Sequence, residues 1–173
     1  MSDASAPHLY AIALGSNRRH GRFGAPKRVI DAALDALGDG GVDVLTDSGV
    51  IDSDAMGPSL RRYANAAALV ESVLAPPALL ALLKSIERDF GRRSGQRWGA
   101  RVLDLDIILW SGGLWSTRTL SIPHPHWRAR RFVVDPLASI APDWRDPLSN
   151  LTARHIAQRL RKPQPVDPAP RTA

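Results

Sequence analysis

The stretch from Leu103 to Leu109 constrains the fold most. From Leu103 to Ile107 its apolar and acidic residues alternate, as they do in a β-strand with one buried face. Successive side chains of a strand point to opposite faces, so Asp104 and Asp106 should share one face. The other face then takes the aliphatic residues Leu103, Leu105, Ile107 and Leu109. Two carboxylates on one rigid face suit Mg²⁺, which usually binds together with phosphates. The pattern therefore predicts a strand that carries a magnesium and phosphate site.

A glycine-containing segment rich in arginine comes directly before this strand. It contains Arg92, Arg93, Arg97 and Arg101 together with Gly91, Gly95 and Gly99. Guanidinium groups bind phosphate oxygens in pairs, and glycines give the backbone the freedom of a closing lid. A solvated basic loop that docks RNA is the alternative interpretation. Trp98, between basic residues, could stack on an aromatic ligand or simply pack.

Composition limits the possible partners without choosing among them. The 173-residue chain has a formal net charge of +6, which suits either nucleic acid or a nucleoside triphosphate. It lacks cysteine, as expected for a reducing cytoplasm, and its N-terminal apolar run, Leu9 to Leu14, is too short for a signal peptide or membrane span. We expect one domain over residues 1–162, a Pro-rich disordered tail over 163–173, and no membrane or obligatory protein partner.

The order of predicted elements is β-α-β-β-α-β followed by appended C-terminal elements. Strands are expected at Leu9–Leu14, from Val42 towards Ile51, at Tyr63–Leu74 and at Asp104; helices from Pro26 to Gly38, from Pro76 to Gly91, around Val133–Ile140 and over Ser149–Leu160. Alanines in the Tyr63 segment also favour a helix, and residues 52–62 have the composition of a mobile loop. This order is typical of a ferredoxin-like α+β sandwich, with helices on one face of a mainly antiparallel sheet.

A second basic group lies between His124 and Phe132. His124 and His126 could bind a metal, but no third ligand is evident nearby. A hydrogen bond from His124 to phosphate is the favoured interpretation, and a histidine that only shapes the proline turn is the alternative. The sequence has no Walker A loop at Gly15–Gly21. Phosphoryl transfer would therefore depend on metal ions and arginines for positioning and charge stabilisation.

Several motifs, in order, resemble the 6-hydroxymethyl-7,8-dihydropterin pyrophosphokinase family of the folate pathway. The resemblance extends from about Leu9 to Pro147. It rests on Ala13–Asn17, Tyr63–Ala67, Ile86–Arg92, Arg97–Ile107 and Ile122–Leu137.

The resemblance implies transfer of pyrophosphate from ATP to the pterin hydroxymethyl group, with AMP as the second product. Asp104 and Asp106 would hold two Mg²⁺ ions, and Arg92 and Arg101 would act with them on the phosphates. The other positions that match the family's ATP site are Glu87, Arg97, Trp98, Ile107, His124 and Arg130.

For the pterin, the resemblance implies a flat pocket with two covered faces. Asn65 would bind the amide edge of the ring, and Tyr63 and Phe132 would sandwich it. Gly15 and the loop containing Ser53, Asp54 and Met56 would complete the pocket. ATP and the pterin would be the only partners, with no nucleic acid.

Two alternatives stay open on the sequence. One is a basic ferredoxin-like RNA-binding module, although such modules carry aromatics and cations on their strands rather than Asp-x-Asp. The other is a family member with altered or lost pterin activity. It is suggested by the short loop Ser53–Pro58 and by Thr119, where the family pattern leads us to expect arginine.

Overall fold

The structure is a computed structural model that describes residues 6–53, 63–91 and 102–162. Its strands are β1 (His8–Ser16), β2 (Asp43–Asp47), β3 (Ile51–Ser53), β4 (Tyr63–Ser72), β5 (Asp104–Trp110), β6 (Trp115–Ser116) and β7 (Ser121–Ile122). Its α-helices are α1 (Pro26–Asp39), α2 (Pro76–Asp89), α3 (Arg131–Ile140) and α4 (Ala153–Arg161), and a 3₁₀ helix spans Trp127–Ala129.

Proline and glycine set the limits of the first two helices. Pro26 and Pro76 each occupy the first turn, where a missing backbone N–H removes no helical hydrogen bond. Helix α2 ends as predicted, with Gly91 just beyond it at a φ of 89°. Helix α1 continues past Gly38, which we expected to end it, because the left-handed residue is Gly41, with a φ of 79°.

The main sheet is antiparallel and has the strand order β2-β4-β1-β5, with β3 also paired to β4. The Tyr63 segment is a strand, as predicted. The strand region predicted from Val42 towards Ile51 is two strands, which pair with successive parts of β4. A mixed α/β chain with a mainly antiparallel sheet is confirmed.

Strand β5 carries a β-bulge that the sequence pattern did not predict. Ile107 pairs with Ile12 and Leu109 pairs with Ala11, so Ile108 is an additional residue. The bulge reverses the alternation, because one inserted residue turns every later side chain to the other face. The prediction that Leu109 lies on the face of Leu103, Leu105 and Ile107 is therefore wrong, whereas it is correct for the other three.

Each face of the sheet has its own apolar core. The first core lies beneath α1 and α2 and includes Tyr10, Ile12, Leu14, Ile30, Leu37, Leu79, Leu83, Leu103 and Leu105. The second lies beneath α3 and α4 and includes Ala11, Ala67, Ile108, Leu109, Trp127, Val134, Leu137 and Ile156. The C-terminal helices thus cover part of the face that α1 and α2 leave open.

The C-terminal helices begin at positions that differ from those predicted. Helix α3 begins at Arg131 rather than Val133, directly after the 3₁₀ helix. Helix α4 begins at Ala153 rather than Ser149, because the Thr152 hydroxyl caps it by accepting the backbone N–H of His155 at 3.2 Å.

A buried ion pair fastens this C-terminal region to the 3₁₀ helix. Arg128 donates from Nε and Nη2 to the two carboxylate oxygens of Asp146, at 2.7 and 2.5 Å. The Asp146 side chain is fully buried and also accepts from Ser149. Burial raises the pKa of Asp146, but the hydrogen bonds from Arg128 and Ser149 outweigh burial, so the pKa lies below its usual 3.8.

We expect Asp146→Asn to destabilise the fold by about 3 kcal/mol, because it leaves the partly buried Arg128 charge without its partner. The loss of stability relative to wild type should have its full size above pH 3.8, the ordinary pKa of the Asp146 carboxyl group. It should shrink as the pH falls through the lower folded pKa, where the wild-type carboxylate also becomes protonated. Denaturant unfolding at several pH values measures it.

Asp143→Asn is the matched control, since Asp143 pairs with Arg154 on the surface, where the two side chains are 77% and 53% exposed. We expect it to cost less than about 1 kcal/mol. Equal losses in the two variants would contradict a special role for the buried pair.

Candidate functional site

A row of four paired residues crosses four strands at one end of the sheet, and three of the four are small or polar. Asp104 on β5 pairs with Gly15 on β1, Gly15 pairs with Asn65 on β4, and Asn65 pairs with Ile51 on β3. Directly paired residues of adjacent antiparallel strands share a face. The Asp104 carboxylate and the Asn65 amide therefore lie on the same face, with only Gly15 between them.

The second aspartate lies in the next row of the same face. Asp106 pairs with Ala13, and Ala13 pairs with Ala67. Asp104 and Asp106 are both partly exposed, as predicted for a pair that shares the accessible face. The residues that pair with them on β1, and Ala67 beyond on β4, are small: Gly15 has no side chain, and Ala13 and Ala67 have only a methyl group.

Two aromatic residues lie on this face of the sheet. Tyr63 begins β4 next to the Asn65 row, pairs with Ser53 on β3 and is partly buried. Phe132, in the first turn of α3, packs at the margin of the second core. The structure thus brings together four of the predicted pterin residues, Gly15, Tyr63, Asn65 and the backbone of Ser53, on adjacent strands.

His124 lies near Asp106. Its backbone N–H donates to the Ile108 carbonyl at 3.0 Å, which attaches the segment to β5 near Asp106. Burial lowers the pKa of His124, the Asp106 carboxylate opposes this effect, and the Arg130 charge adds to it. Nδ1 accepts the backbone N–H of His126 at 3.2 Å, so the neutral imidazole carries its proton on Nε2 and can donate there.

Arg130 lies near His124. Its guanidinium carbon lies 6.0 Å from the Phe132 ring centroid, within the range of a cation–π contact. It lies near enough to His124 to affect the titration of that group. A neutral donor thus lies near the Asp106 carboxylate, with a cation beside that donor, which suits an anionic ligand bound through a divalent cation.

Glu87, which the family resemblance assigns to the ATP site, binds the main chain of β5 instead of lying open to a ligand. It is a fully buried residue of α2, and Oε1 accepts the Leu105 backbone N–H at 2.9 Å. Lys84, one turn earlier, donates to the same Oε1 at 2.7 Å and to the Leu105 carbonyl at 3.2 Å. We did not predict a role for Lys84. The sequence signal that could have indicated this contact is the position of Glu87, a charged residue directly beside the apolar stripe of a helix.

The remaining predicted residues fall into two groups. Ile107 is buried in the first core, so only its main chain can reach a ligand at the edge of β5. Arg92, Arg97, Trp98, Arg101, Asp54 and Met56 lie outside the described residues, as do the Gly-rich lid and the 163–173 tail.

The donor set at the site suits magnesium bound jointly with a ligand. Among the described residues no group of three or more potential metal ligands occurs, so protein side chains there supply two carboxylates rather than a complete cage. Mg²⁺ characteristically binds one or two carboxylates and takes its remaining ligands from phosphates and water. Fold and site together define an α/β protein with a pair of partly exposed carboxylates on one face of an antiparallel sheet.

Comparisons with known proteins give this class a family. Residues 11–142 match the family model "7,8-dihydro-6-hydroxymethylpterin-pyrophosphokinase (HPPK)". A 2-amino-4-hydroxy-6-hydroxymethyldihydropteridine pyrophosphokinase of Pseudomonas aeruginosa is 40% identical over 86% of this chain and 88% of its own length. The protein of the same name from Haemophilus influenzae is 37% identical, over 85% and 90%. The chain belongs to the HPPK family.

Some relatives are longer than this chain. The Synechocystis pyrophosphokinase is 40% identical over 69% of this chain, and the match spans 62% of the Synechocystis protein. A crystal structure of Plasmodium falciparum HPPK-DHPS with pterin and p-hydroxybenzoate superposes with a TM-score of 0.64 at 13% identity. That match covers 92% of this chain and 45% of the Plasmodium chain, and supports the fold alone.

Within the described ranges, no helix has the length and apolar character needed to cross a membrane.

Proposed function

We propose that this chain transfers pyrophosphate from ATP to the hydroxymethyl group of 6-hydroxymethyl-7,8-dihydropterin in a Mg²⁺-dependent reaction. The products would be AMP and the pterin diphosphate, and the reaction a step in tetrahydrofolate biosynthesis. The observation that carries the proposal is the row in which Asp104 and Asn65 flank Gly15, in a chain of the HPPK family. This row places the Asp104 carboxylate, which would bind the metal, near the Asn65 amide, which can form hydrogen bonds with a heterocyclic amide.

The pterin would lie over Gly15, with its amide edge against Asn65. The Asn65 side chain offers both a donor and an acceptor, which matches the paired acceptor and donor of a cyclic amide. Asn65 is only 5% exposed, so its amide would be held in place before the ligand arrives. Tyr63 and Phe132 would cover the two faces of the ring, with main-chain groups near Ser53 and the loop residues Asp54 and Met56 closing the pocket.

ATP would lie on the β5 side of the site. His124 would donate from Nε2 to a phosphate oxygen, and Arg130 would add a fixed positive charge beside it. Ile107 would offer its main chain at the outer edge of β5. Arg92, Arg97, Trp98 and Arg101 would close over the triphosphate.

Asp104 and Asp106 would hold the two magnesium ions, which neutralise phosphate charge when bound. The residues of the chain would orient the hydroxymethyl oxygen of the pterin towards the β-phosphorus of ATP. Holding both reactants on one rigid sheet removes much of the entropic barrier to their encounter.

The proposal extends to architecture and compartment. The antiparallel order β2-β4-β1-β5, with α1 and α2 on one face, supports a ferredoxin-like arrangement in which α3 and α4 are additions. A single domain over 1–162 and a cytoplasmic location stay predictions.

We expect AMP to form only when the protein receives ATP, Mg²⁺ and the hydroxymethyl dihydropterin together. Chromatography of the nucleotide products measures the reaction. ADP in place of AMP would indicate an ordinary kinase. No turnover would favour either an RNA-binding module or a family member that has lost pterin activity.

Asp106→Ala should reduce kcat by more than about 100-fold. Loss of a residue that only hydrogen-bonds to a metal ligand usually costs about 10- to 100-fold, and loss of the ligand itself should cost more. The melting temperature should change little, because Asp106 is partly exposed. Asp143→Ala, far along the chain and exposed, is the control with unchanged kcat. An Asp106→Ala protein with near wild-type turnover would rule out the metal assignment.

Asn65→Ala should weaken pterin binding by about 10- to 100-fold, the equivalent of losing its hydrogen bonds to a buried ligand edge. Its effect on ATP affinity should be small, since Asn65 is separated from the carboxylates by β1. Calorimetric titration with each ligand separates the two effects. Unchanged pterin affinity, or equal losses for both ligands, would contradict the assignment.

A further inference from the structure

The two carboxylates lie on an edge strand, yet the main chain between them is held on both sides. Strand β5 is the last in the order β2-β4-β1-β5, so its outer edge faces no further strand of that sheet. At this edge the Leu105 N–H donates to Glu87 Oε1 at 2.9 Å, and the Leu105 carbonyl accepts from Lys84 Nζ at 3.2 Å. Two side chains of α2 thus take the place of a neighbouring strand.

These two hydrogen bonds act on the peptide groups that join the aspartates. The Leu105 N–H belongs to the peptide group between Asp104 and Leu105, and the Leu105 carbonyl belongs to the group between Leu105 and Asp106. Each of the two peptide planes is therefore fixed by one contact from α2. Because the Cα–Cβ directions of Asp104 and Asp106 depend on these planes, the contacts help to fix the direction in which each side chain leaves the backbone.

An ion pair makes this arrangement rigid. Glu87 is fully buried and Lys84 is 33% exposed, and their charged atoms lie 2.7 Å apart. Burying a carboxylate is expensive unless it is paired and hydrogen-bonded, and Glu87 is both. A carboxylate so confined has little freedom to release the Leu105 N–H.

We propose that Glu87 and Lys84 are positioning residues that hold the Asp104 and Asp106 carboxylates in the orientation needed to bind a divalent cation, by clamping the two peptide groups of Leu105. The inference rests on the proposed function, since it assigns these carboxylates to a metal. It gives Glu87 a role through the protein backbone rather than through contact with the nucleotide.

The test compares Mn²⁺ binding, followed by electron paramagnetic resonance in the presence of an ATP analogue that cannot transfer pyrophosphate, in the 173-residue protein and its variants. Glu87→Ala removes the acceptor of the Leu105 N–H and should weaken Mn²⁺ binding about 10-fold or more, the usual effect of losing a partner that orients a ligand. Glu87→Gln keeps an oxygen in place and should restore most of the affinity. Hydrogen exchange of the Leu105 amide should accelerate in Glu87→Ala and much less in Glu87→Gln.

Leu79→Ala is the matched control for lost stability. Leu79 is a fully buried residue of the same helix and takes no part in the clamp. It should lower the melting temperature and leave Mn²⁺ affinity unchanged. Wild-type Mn²⁺ affinity in folded Glu87→Ala, or an equal loss in Leu79→Ala, would overturn the proposal.

Lys84→Met provides an independent arm that decides the matter if Glu87→Ala does not fold. It removes the donor to the Leu105 carbonyl and should weaken Mn²⁺ binding, whereas unchanged affinity would overturn the proposal. Failure of the wild-type protein to bind Mn²⁺ would overturn both the metal site and this inference. Normal Mn²⁺ binding without AMP formation would overturn the proposed reaction alone.

Discussion

The register of β1 with its two neighbours is the constraint on which the site depends. Gly15 pairs at once with Asp104 on one side and with Asn65 on the other. Because side chains alternate with a period of two, a slip of one residue in either pairing would send the carboxylate or the amide into the first core. The apolar residues of β1, Tyr10, Ile12 and Leu14, prevent this slip by filling that core.

The bulge at Ile108 divides the face that carries the site. Before the bulge, Asp104 and Asp106 lie on a partly exposed face; beyond it, Ile108 and Leu109 both enter the second core beneath α3 and α4. Trp110 is thereby returned to the first face, where its ring stacks on Tyr10 with centroids 6.4 Å apart. One additional residue thus lets a strand begin as the floor of an open site and end as part of a closed core.

Local pattern was enough to predict most of the elements. Proline in the first turn and glycine past the end delimit α2, and period-two alternation indicates β5. The bulge left no such signal, since Ile107-Ile108-Leu109 is apolar throughout and its alternation cannot be read. The start of α4 was missed because Ser149 resembled a helix start, whereas Thr152 is the residue that caps it.

For the site, the sequence and the family resemblance identified the chemistry-bearing side chains but not their supports. Residue type and motif were enough to identify Asp104, Asp106 and Asn65, and the structure places these three residues on one face of the sheet. No sequence pattern predicts a hydrogen bond from the Leu105 backbone N–H to Glu87, because every residue except proline carries the same backbone N–H group.

The limits of the C-terminal helices explain why the site is open at all. Helix α3 begins at Arg131, so the apolar cover stops near Phe132 and Ala13 and leaves Gly15 and the two carboxylates partly exposed. The helix is held there by the turn before it, where Trp127 is fully buried and Arg128 binds Asp146. Because His124 and Arg130 flank this same turn, one anchor sets both the boundary of the core and the position of the groups proposed to meet the phosphates.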